Sequence, residues 1–367
     1  MMGILNIFCA GTSIDTLPAR RVKNLFFNVF DHARNEKAVS ATKRMIAFAT
    51  PDYTMLDSSG YQIFTSEAKG KSLTFDPRLP LIMTKQKFNI SPSHVVEAAY
   101  QIQPKIVIGL DFPIRKLSKK EDREREYLYK SHFNAEWAKQ TAQLREQRCP
   151  TIEFFLPIQV YSLSDLEHFL TLIDGIRYDG LSMPVRNLGP SGIALFLLRF
   201  FQMGITKAHI LGSTSFPRIA VGAFFARHYF EWLSLDSTSW RKGAEFQSYL
   251  DPGNLSALHT ANDGLIDENI PITCECPFCK DRSFNFIKSL PYSDKVAFLR
   301  SHNFWVTEKV GNDLFANAGD LLTFEKFLRS RGPRTRGLDD LIECLWLIDF
   351  YKNEDINVLK TLLKIAA

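Results

Sequence analysis

Ile106-Val-Ile-Gly-Leu-Asp111, a charged stretch from Arg123 to Arg148, and Glu153-Phe-Phe-Leu-Pro-Ile-Gln159 follow one another in the chain. The outer two are short apolar runs of strand length, the second beginning at Ile152. In the middle stretch apolar residues recur every three or four positions, the spacing of a helix face. Strand, helix and strand in that order predict a parallel α/β fold. The same alternation continues outward. Met45–Ala49, Tyr53–Leu56, Gly180–Met183, Ala208–Gly212 and Trp232–Leu235 read as further strands, with one more run near Leu5–Cys9. Ser93–Gln101, Ser164–Ile173, Gly192–Met203 and Arg218–Tyr229 read as helices, with Ser93 and Ser164 placed as N-caps. Seven or eight such repeats predict a (β/α)8 TIM barrel.

Composition suits that fold. The chain has 367 residues, long for one ordinary domain but normal for an α/β barrel with an insertion. With 45% hydrophobic residues and 30 Phe it can bury a large core, which excludes a disordered chain. A net charge of +5 permits a polyanionic partner without requiring one. Met1–Cys9 has no basic n-region and too short an apolar run for a signal peptide. Ala194–Ile205, the most apolar stretch, is interrupted by Arg199 and is shorter than a bilayer requires. A cytoplasmic protein with no membrane partner is expected.

Two stretches look like additions to a barrel core of residues 1–269. One, residues 270–310, contains Cys274, Cys276 and Cys279, then His302 after 22 intervening residues. Thiols this close are poorly placed for a disulfide, and with an imidazole they suit a closed tetrahedral zinc site. Four protein ligands leave no open position. A single Zn2+ per chain is therefore expected to be structural, with the chemistry elsewhere. An incidental or reactive cysteine cluster is the alternative. Cys9, Cys149 and Cys344 remain as expected buried thiols, which fits a reducing compartment. The other addition, residues 311–367, reads as a helical segment packing on the barrel, with two or three helices after Ala318. Arg329, Arg331, Arg334 and Arg336 crowd one turn there, as a solvated basic loop or a phosphate contact. Lys116–Glu126 mixes both signs of charge and reads as a solvated helix start.

Three apolar runs end in aspartate, at Asp57, Asp111 and Asp236. In a β/α barrel the carboxyl ends of the strands converge on the face that holds the active site. Carboxylates gathered there shift one another's pKa values apart, and so can divide the roles of acid, nucleophile and substrate-orienting acceptor. Ordinary capping and turn chemistry accounts for any one such aspartate equally well. Gln159 ends another run. It could be a satisfied core amide or could hydrogen-bond a purine edge, for which amides are well matched. Tyr61 could stack on a base or fill core.

Together these pieces resemble the guanine transglycosylases, which exchange guanine in nucleic acid for a 7-deazaguanine base. Asp57-Ser-Ser-Gly-Tyr-Gln-Ile-Phe64 resembles the family's Asp-Ser-Gly-Gly-Phe-Gln stretch. Leu110-Asp-Phe-Pro113 is similar to its base-recognising segment, and Phe133–Arg145 to the helix after it. Pro157-Ile-Gln159 and Asp179-Gly-Leu181 stand where the family has its Gln and its Gly-Gly-Leu. Leu235-Asp-Ser-Thr-Ser-Trp240 is similar to the nucleophile strand of the archaeal branch, and the cysteine cluster matches down to Asn303. The resemblance implies double displacement, with Asp236 as nucleophile and Asp57 as general acid/base. It also implies that Ser58, Tyr61, Asp111, Gln159, Gly180 and Leu181 bind the base. No cofactor beyond zinc is implied; the nucleotide must be flipped out or presented in a loop. A homodimer or an accessory protein is a further expectation.

The departures bear on the polymer. Trp240-Arg-Lys-Gly-Ala244 replaces the loop with which the bacterial tRNA enzymes help to read the anticodon, and no counterpart of the long archaeal RNA-binding extension is expected. Ser59 and Ser182-Met-Pro184 alter the expected base pocket. A compact chain without either tRNA-reading device looks more like the branch that inserts a 7-deazaguanine of the preQ0 type into DNA. The expected activity is therefore a pentosyltransferase acting on DNA, with tRNA as the alternative polymer. A catalytically silent nucleic-acid-binding paralogue or partner subunit is the second alternative, and a barrel hydrolase acting on small sugars the third.

Overall fold

The computed structural model describes the chain apart from residues 1–2, 12, 30–35, 59, 61–62, 64–72, 77–80, 85–87, 116, 118, 186–187, 261–271, 333–336 and 363–367. Its strands in chain order are β1 (Ile4–Ala10), β2 (Asn24–Asn28), β3 (Tyr53–Asp57), β4 (Leu73–Asp76), β5 (Leu81–Thr84), β6 (Phe88–Ile90) and β7 (Ile106–Ile108). They continue with β8 (Glu153–Pro157), β9 (Gly180–Pro184), β10 (Lys207–Leu211), β11 (Trp232–Ser237), β12 (Ser248–Leu250) and β13 (Ala257–His259). Eight of them close the barrel that the alternation predicts, in the order β1-β11-β10-β9-β8-β7-β3-β2. The pairings whose register is described within it are all parallel.

Two readings of the sequence change. Met45–Ala49, expected as a strand, is the last turn of the helix Glu36–Ala49. Met45 and Ala49 are buried one turn apart while Phe48 is 71% exposed, which is helical rather than alternating burial. The missing barrel strand is β2, Asn24-Leu-Phe-Phe-Asn28, whose apolar centre is only three residues long. The helix caps also move. Ser91 and Ser162, not Ser93 and Ser164, are the N-caps. Pro92 takes the first helical position after Ser91. Ser162 Oγ accepts from Asp165 N–H at 3.0 Å, and Asp165 Oδ2 accepts from Ser162 N–H at 3.1 Å, a reciprocal capping box.

Contacts divide the chain into two compact units. The first is Met1–Lys23, Gly189–Gly204 and Gly212–Lys364; the second is Asn24–Leu188, Ile205–Leu211 and Ile365–Ala367. In the second unit the register Asn28↔Asp57, Leu56↔Val107, Ile108↔Phe155, Phe155↔Gly180 and Leu181↔Ala208 links six strands in one sheet. Met55, Leu56, Val107, Ile108, Phe154, Phe155 and Leu156 are all completely buried, as parallel strands covered on both faces require. A three-stranded antiparallel sheet, β4-β5-β6, stands between β3 and the helix Pro92–Ile102; the sequence reading did not anticipate it.

In the first unit β1 pairs with β11, Phe8 opposite Asp236 and Cys9 opposite Ser237. The helix Tyr292–Asn317 carries His302, and three helices follow Ala318: Leu321–Arg331, Leu338–Tyr351 and Ile356–Leu362. Cys9, Cys149 and Cys344 are buried free thiols, as expected. Among the described residues no helix is long and apolar enough to cross a membrane.

Glu308, six residues beyond His302, is half-buried, with its carboxylate 2.9 Å from Arg20 Nη2. Burial pushes its carboxyl up to about 7, outweighing the opposing pull of Arg20 and Lys23. The buried Cys9 thiol feels the Glu308 charge in turn. The unfolded side chain ionises near about 4.3, so between there and about 7 the native state alone holds the proton. Stability from this group is therefore present at low pH and lost as pH rises through that window, by on the order of 3 kcal/mol. Thermal midpoints should fall between about pH 5 and 7.5, and Glu308→Gln should flatten the fall. Identical pH profiles for the two proteins would contradict this.

Candidate functional site

The sheet of the second unit brings three of the expected residues into one buried cluster. β3 ends on Asp57, and Ser58 follows it; β7 is followed by Gly109-Leu110-Asp111; β8 is followed by Ile158-Gln159. Ser58, Asp111 and Gln159 are 1%, 4% and 7% exposed. Ser58 Oγ donates to Asp111 Oδ1 at 2.5 Å, and Gln159 Nε2 donates to Asp111 Oδ2. Each carboxylate oxygen thus accepts from one of these side chains, and the backbone N–H of Asp111 adds a further hydrogen bond. Burial pushes the Asp111 carboxyl up, while the hydrogen bonds from Ser58 and Gln159 pull it back.

A Cβ at Gly60 would press on Asp111, lying 2.6 Å from Oδ2. Only glycine permits that approach. Asp57 lies beside this cluster in the chain and is half-buried. Its Oδ2 accepts from Asn28 Nδ2 at 2.9 Å, across the β2–β3 register that sets these two residues opposite each other.

The loop after β7 is held rigidly. Asn134 grips the Phe112 peptide from both sides, accepting from its N–H at 2.6 Å and donating to its C=O at 3.1 Å. Lys130 Nζ donates to Pro113 O at 2.8 Å and to Glu126 Oε1 at 2.9 Å, and lies over the Phe112 ring. Glu126 also accepts from Arg115 N–H at 2.8 Å, and Tyr161 Oη donates to Ile114 O. Glu126, placed by sequence in a solvated charged run, is in fact buried. The charge pattern shows the exposed side of this helix; the residues that brace Asp111 point the other way.

Gly180 and Leu181 do not join the cluster. They open β9, and Gly180 lies opposite Phe155, midway along β8. Continuing the register, the level of Gln159 falls at Pro184. Gly180 has a packing reason instead: a Cβ there would lie 2.7 Å from the Phe155 ring. Tyr61 lies outside the described residues.

Asp236 belongs to the first unit, near the carboxyl end of β11, and is 5% exposed. Gly212, directly after β10, donates its N–H to Asp236 Oδ1 at 2.7 Å. Gly212 has φ +82°, a conformation that favours glycine. Hydroxyls surround the carboxylate's neighbours: Ser237 Oγ donates to Ser239 Oγ at 2.8 Å, and Thr214 Oγ1 lies 3.4 Å from Ser239 Oγ. No family model matches the chain, and no curated protein matches it.

Cys274, Cys276, Cys279 and His302 form the second site, again in the first unit. All four are buried, and their ligand atoms lie within 4.8 Å of one another, so the group could hold a metal ion. His302 Nε2 meets Leu250 O at 2.9 Å; a carbonyl only accepts, so Nε2 carries the proton. Nδ1 is then left with a lone pair, facing the three sulfurs at 3.8, 3.4 and 3.2 Å. A tetrahedral centre with Zn–S about 2.3 Å and Zn–N about 2.05 Å requires N···S separations of about 3.6 Å. The side chains fit such an ion. Tyr249 closes one side, its ring stacked 3.9 Å from the imidazole and its hydroxyl 3.9 Å from Cys279 Sγ. Cys276 hydrogen bonding holds the Cys274 thiol well below the usual range, while Cys274 pushes Cys276 up to about 11. Three thiols this close compete for negative charge, which a cation would relieve.

Proposed function

We propose that the protein is a guanine transglycosylase that replaces guanine in DNA with a 7-deazaguanine base of the preQ0 type. The observation that carries the proposal is the buried Ser58–Asp111–Gln159 cluster at the carboxyl ends of barrel strands. A purine edge with adjacent N–H donors and a carbonyl needs an acceptor and a donor side by side. Asp111 supplies the first and the Gln159 amide the second, with Ser58 fixing the carboxylate. Asp57 and Asp236 stand at the ends of their own strands, on the side where β/α barrels do chemistry.

In the proposed reaction an Asp236 carboxylate oxygen attacks C1′ of the target nucleotide. The C1′–N9 bond breaks as Asp57 gives its proton to the departing guanine, leaving a glycosyl ester on Asp236. The incoming base then loses its N9 proton to Asp57 and attacks C1′, and the ester bond breaks to restore the Asp236 carboxylate. The Gly212 N–H holds one Asp236 oxygen and so helps to fix the orientation of the carboxylate. Zn2+ is the ion proposed for the Cys3His group, where it would fasten structure and take no part in bond making.

Incubation with labelled guanine and either duplex DNA or unmodified tRNA tests the proposal. Label in DNA is the expected outcome; label in tRNA alone moves the activity to that polymer, and label in neither overturns the exchange. Gly60→Ala should displace Asp111 and raise KM for the free base about tenfold or more, the scale of one charged hydrogen bond. An unchanged KM would remove Asp111 from the base pocket.

A further inference from the structure

His302 and Asn303 capture both backbone groups of one residue, Leu250. His302 Nε2–H donates to Leu250 O at 2.9 Å, and Leu250 N–H donates to Asn303 Oδ1 at 3.0 Å. The Asn303 amide then reaches two more carbonyls, donating from Nδ2 to Ser248 O at 3.0 Å and to Trp240 O at 3.1 Å. Asn303 is completely buried, and its oxygen and amide nitrogen both have partners. An apolar side chain of that size would leave the Leu250 N–H and the Ser248 carbonyl without these partners, at about 1–3 kcal/mol each, and would cut the bond to Trp240 O. The amide thus ties both ends of Trp240–Leu250 to the helix that bears a metal-ligand candidate. That segment begins four residues after Asp236. Its first side chain, Trp240, is buried with its ring 5.4 Å from Phe304, the residue after Asn303.

We propose that Asn303 is a positioning residue through which metal binding at the Cys3His group fixes the segment that follows Asp236. A bound ion would hold the His302 imidazole. His302 and Asn303 together hold Leu250, and Asn303 carries the constraint back to the Trp240 backbone, whose side chain packs on Phe304. On the Asp236 side of Trp240 the chain is already held by the Gly212 N–H and packs closely at Thr238, whose Cγ2 would lie 2.6 Å from a Cβ on Gly11. An ion that binds only the docked arrangement stabilises that arrangement, and the coupling is reciprocal. The catalytic consequence rests on the base-exchange reading of Asp236. The coupling itself does not.

Amide hydrogen exchange, read by mass spectrometry on the full chain, tests this with no substrate present. Three samples are compared: wild type with Zn2+, wild type after chelation, and Asn303→Ala with Zn2+. Chelation should speed exchange across Ser239–Leu250 by tenfold or more. Asn303→Ala should show the same acceleration there while Cys274–Cys279 stays protected, and with Co2+ in place of Zn2+ it should keep the thiolate charge-transfer absorption. Wild-type exchange in Ser239–Leu250 that ignores the metal would overturn the proposal. So would an Asn303→Ala protein that exchanges like the Zn2+ wild type, or one that loses the cobalt band. If Asn303→Ala does not fold, the two wild-type samples decide. Absence of labelled guanine in any polymer would sink the proposed reaction and leave this result standing.

Discussion

Asp236→Asn should abolish guanine exchange, with a loss of about 10^4-fold or more, while the thermal midpoint and metal content stay at wild-type values. The size follows from the role, since removing a covalent nucleophile leaves only binding and electrostatic acceleration. Preservation of the fold follows from the site. Asp236 is buried, and its described hydrogen bond is an acceptance from Gly212 N–H at 2.7 Å. An asparagine Oδ1 can accept the same bond in nearly the same volume. The substitution therefore removes charge and nucleophilicity while keeping shape. An Asn variant with exchange within tenfold of wild type would refute the role given to Asp236.

Cys276→Ser should lose the metal and cost on the order of 4 kcal/mol or more of stability, with chelation of the wild type giving a comparable drop. Cys276 is completely buried between Cys274 and His302, and a hydroxyl is a poor substitute for a thiolate at a site built for soft ligands. The loss should spread beyond the cysteine loop. His302 Nε2 braces Leu250, and Tyr249 stacks on the imidazole, so β12 is tied to the same cluster. A variant with wild-type metal load and midpoint would show that the four side chains are not a metal centre.

The sequence carried the barrel because its periodicity is local. Each apolar run and each helix face can be read within a window of about 15 residues. Reading failed where identity depends on a partner. Met45–Ala49 is apolar enough for a strand and became a helix end, whereas β2 has an apolar centre of three residues between asparagines and was passed over. That omission hid Asn28, which meets Asp57 only through the β2–β3 register. The Cys3His group was legible because its three cysteines lie within six residues of chain.

Other parts of the site left no side-chain signal to read. Gly212 acts on Asp236 through a backbone N–H, a group that every residue but proline carries and that no side chain marks. Asn134 and Lys130 brace the Asp111 loop from a helix whose visible pattern was charge on its outer side. Gly180 and Leu181 show what residue type leaves open. Residue type matches a short motif there, while its level along β9 is set by the strand register, which puts Gly180 opposite Phe155.

Mass-spectrometric mapping of a trapped reaction intermediate tests the central claim most directly. Wild-type protein, a guanine-containing DNA duplex and no acceptor base are mixed, quenched in acid and digested with nuclease and protease. The account predicts a nucleotide-derived sugar phosphate, without its base, esterified to the Asp236 side chain in the peptide containing Leu235-Asp-Ser-Thr-Ser-Trp240. An adduct on a different residue, or guanine exchange that proceeds with Asp236 never modified, would contradict it.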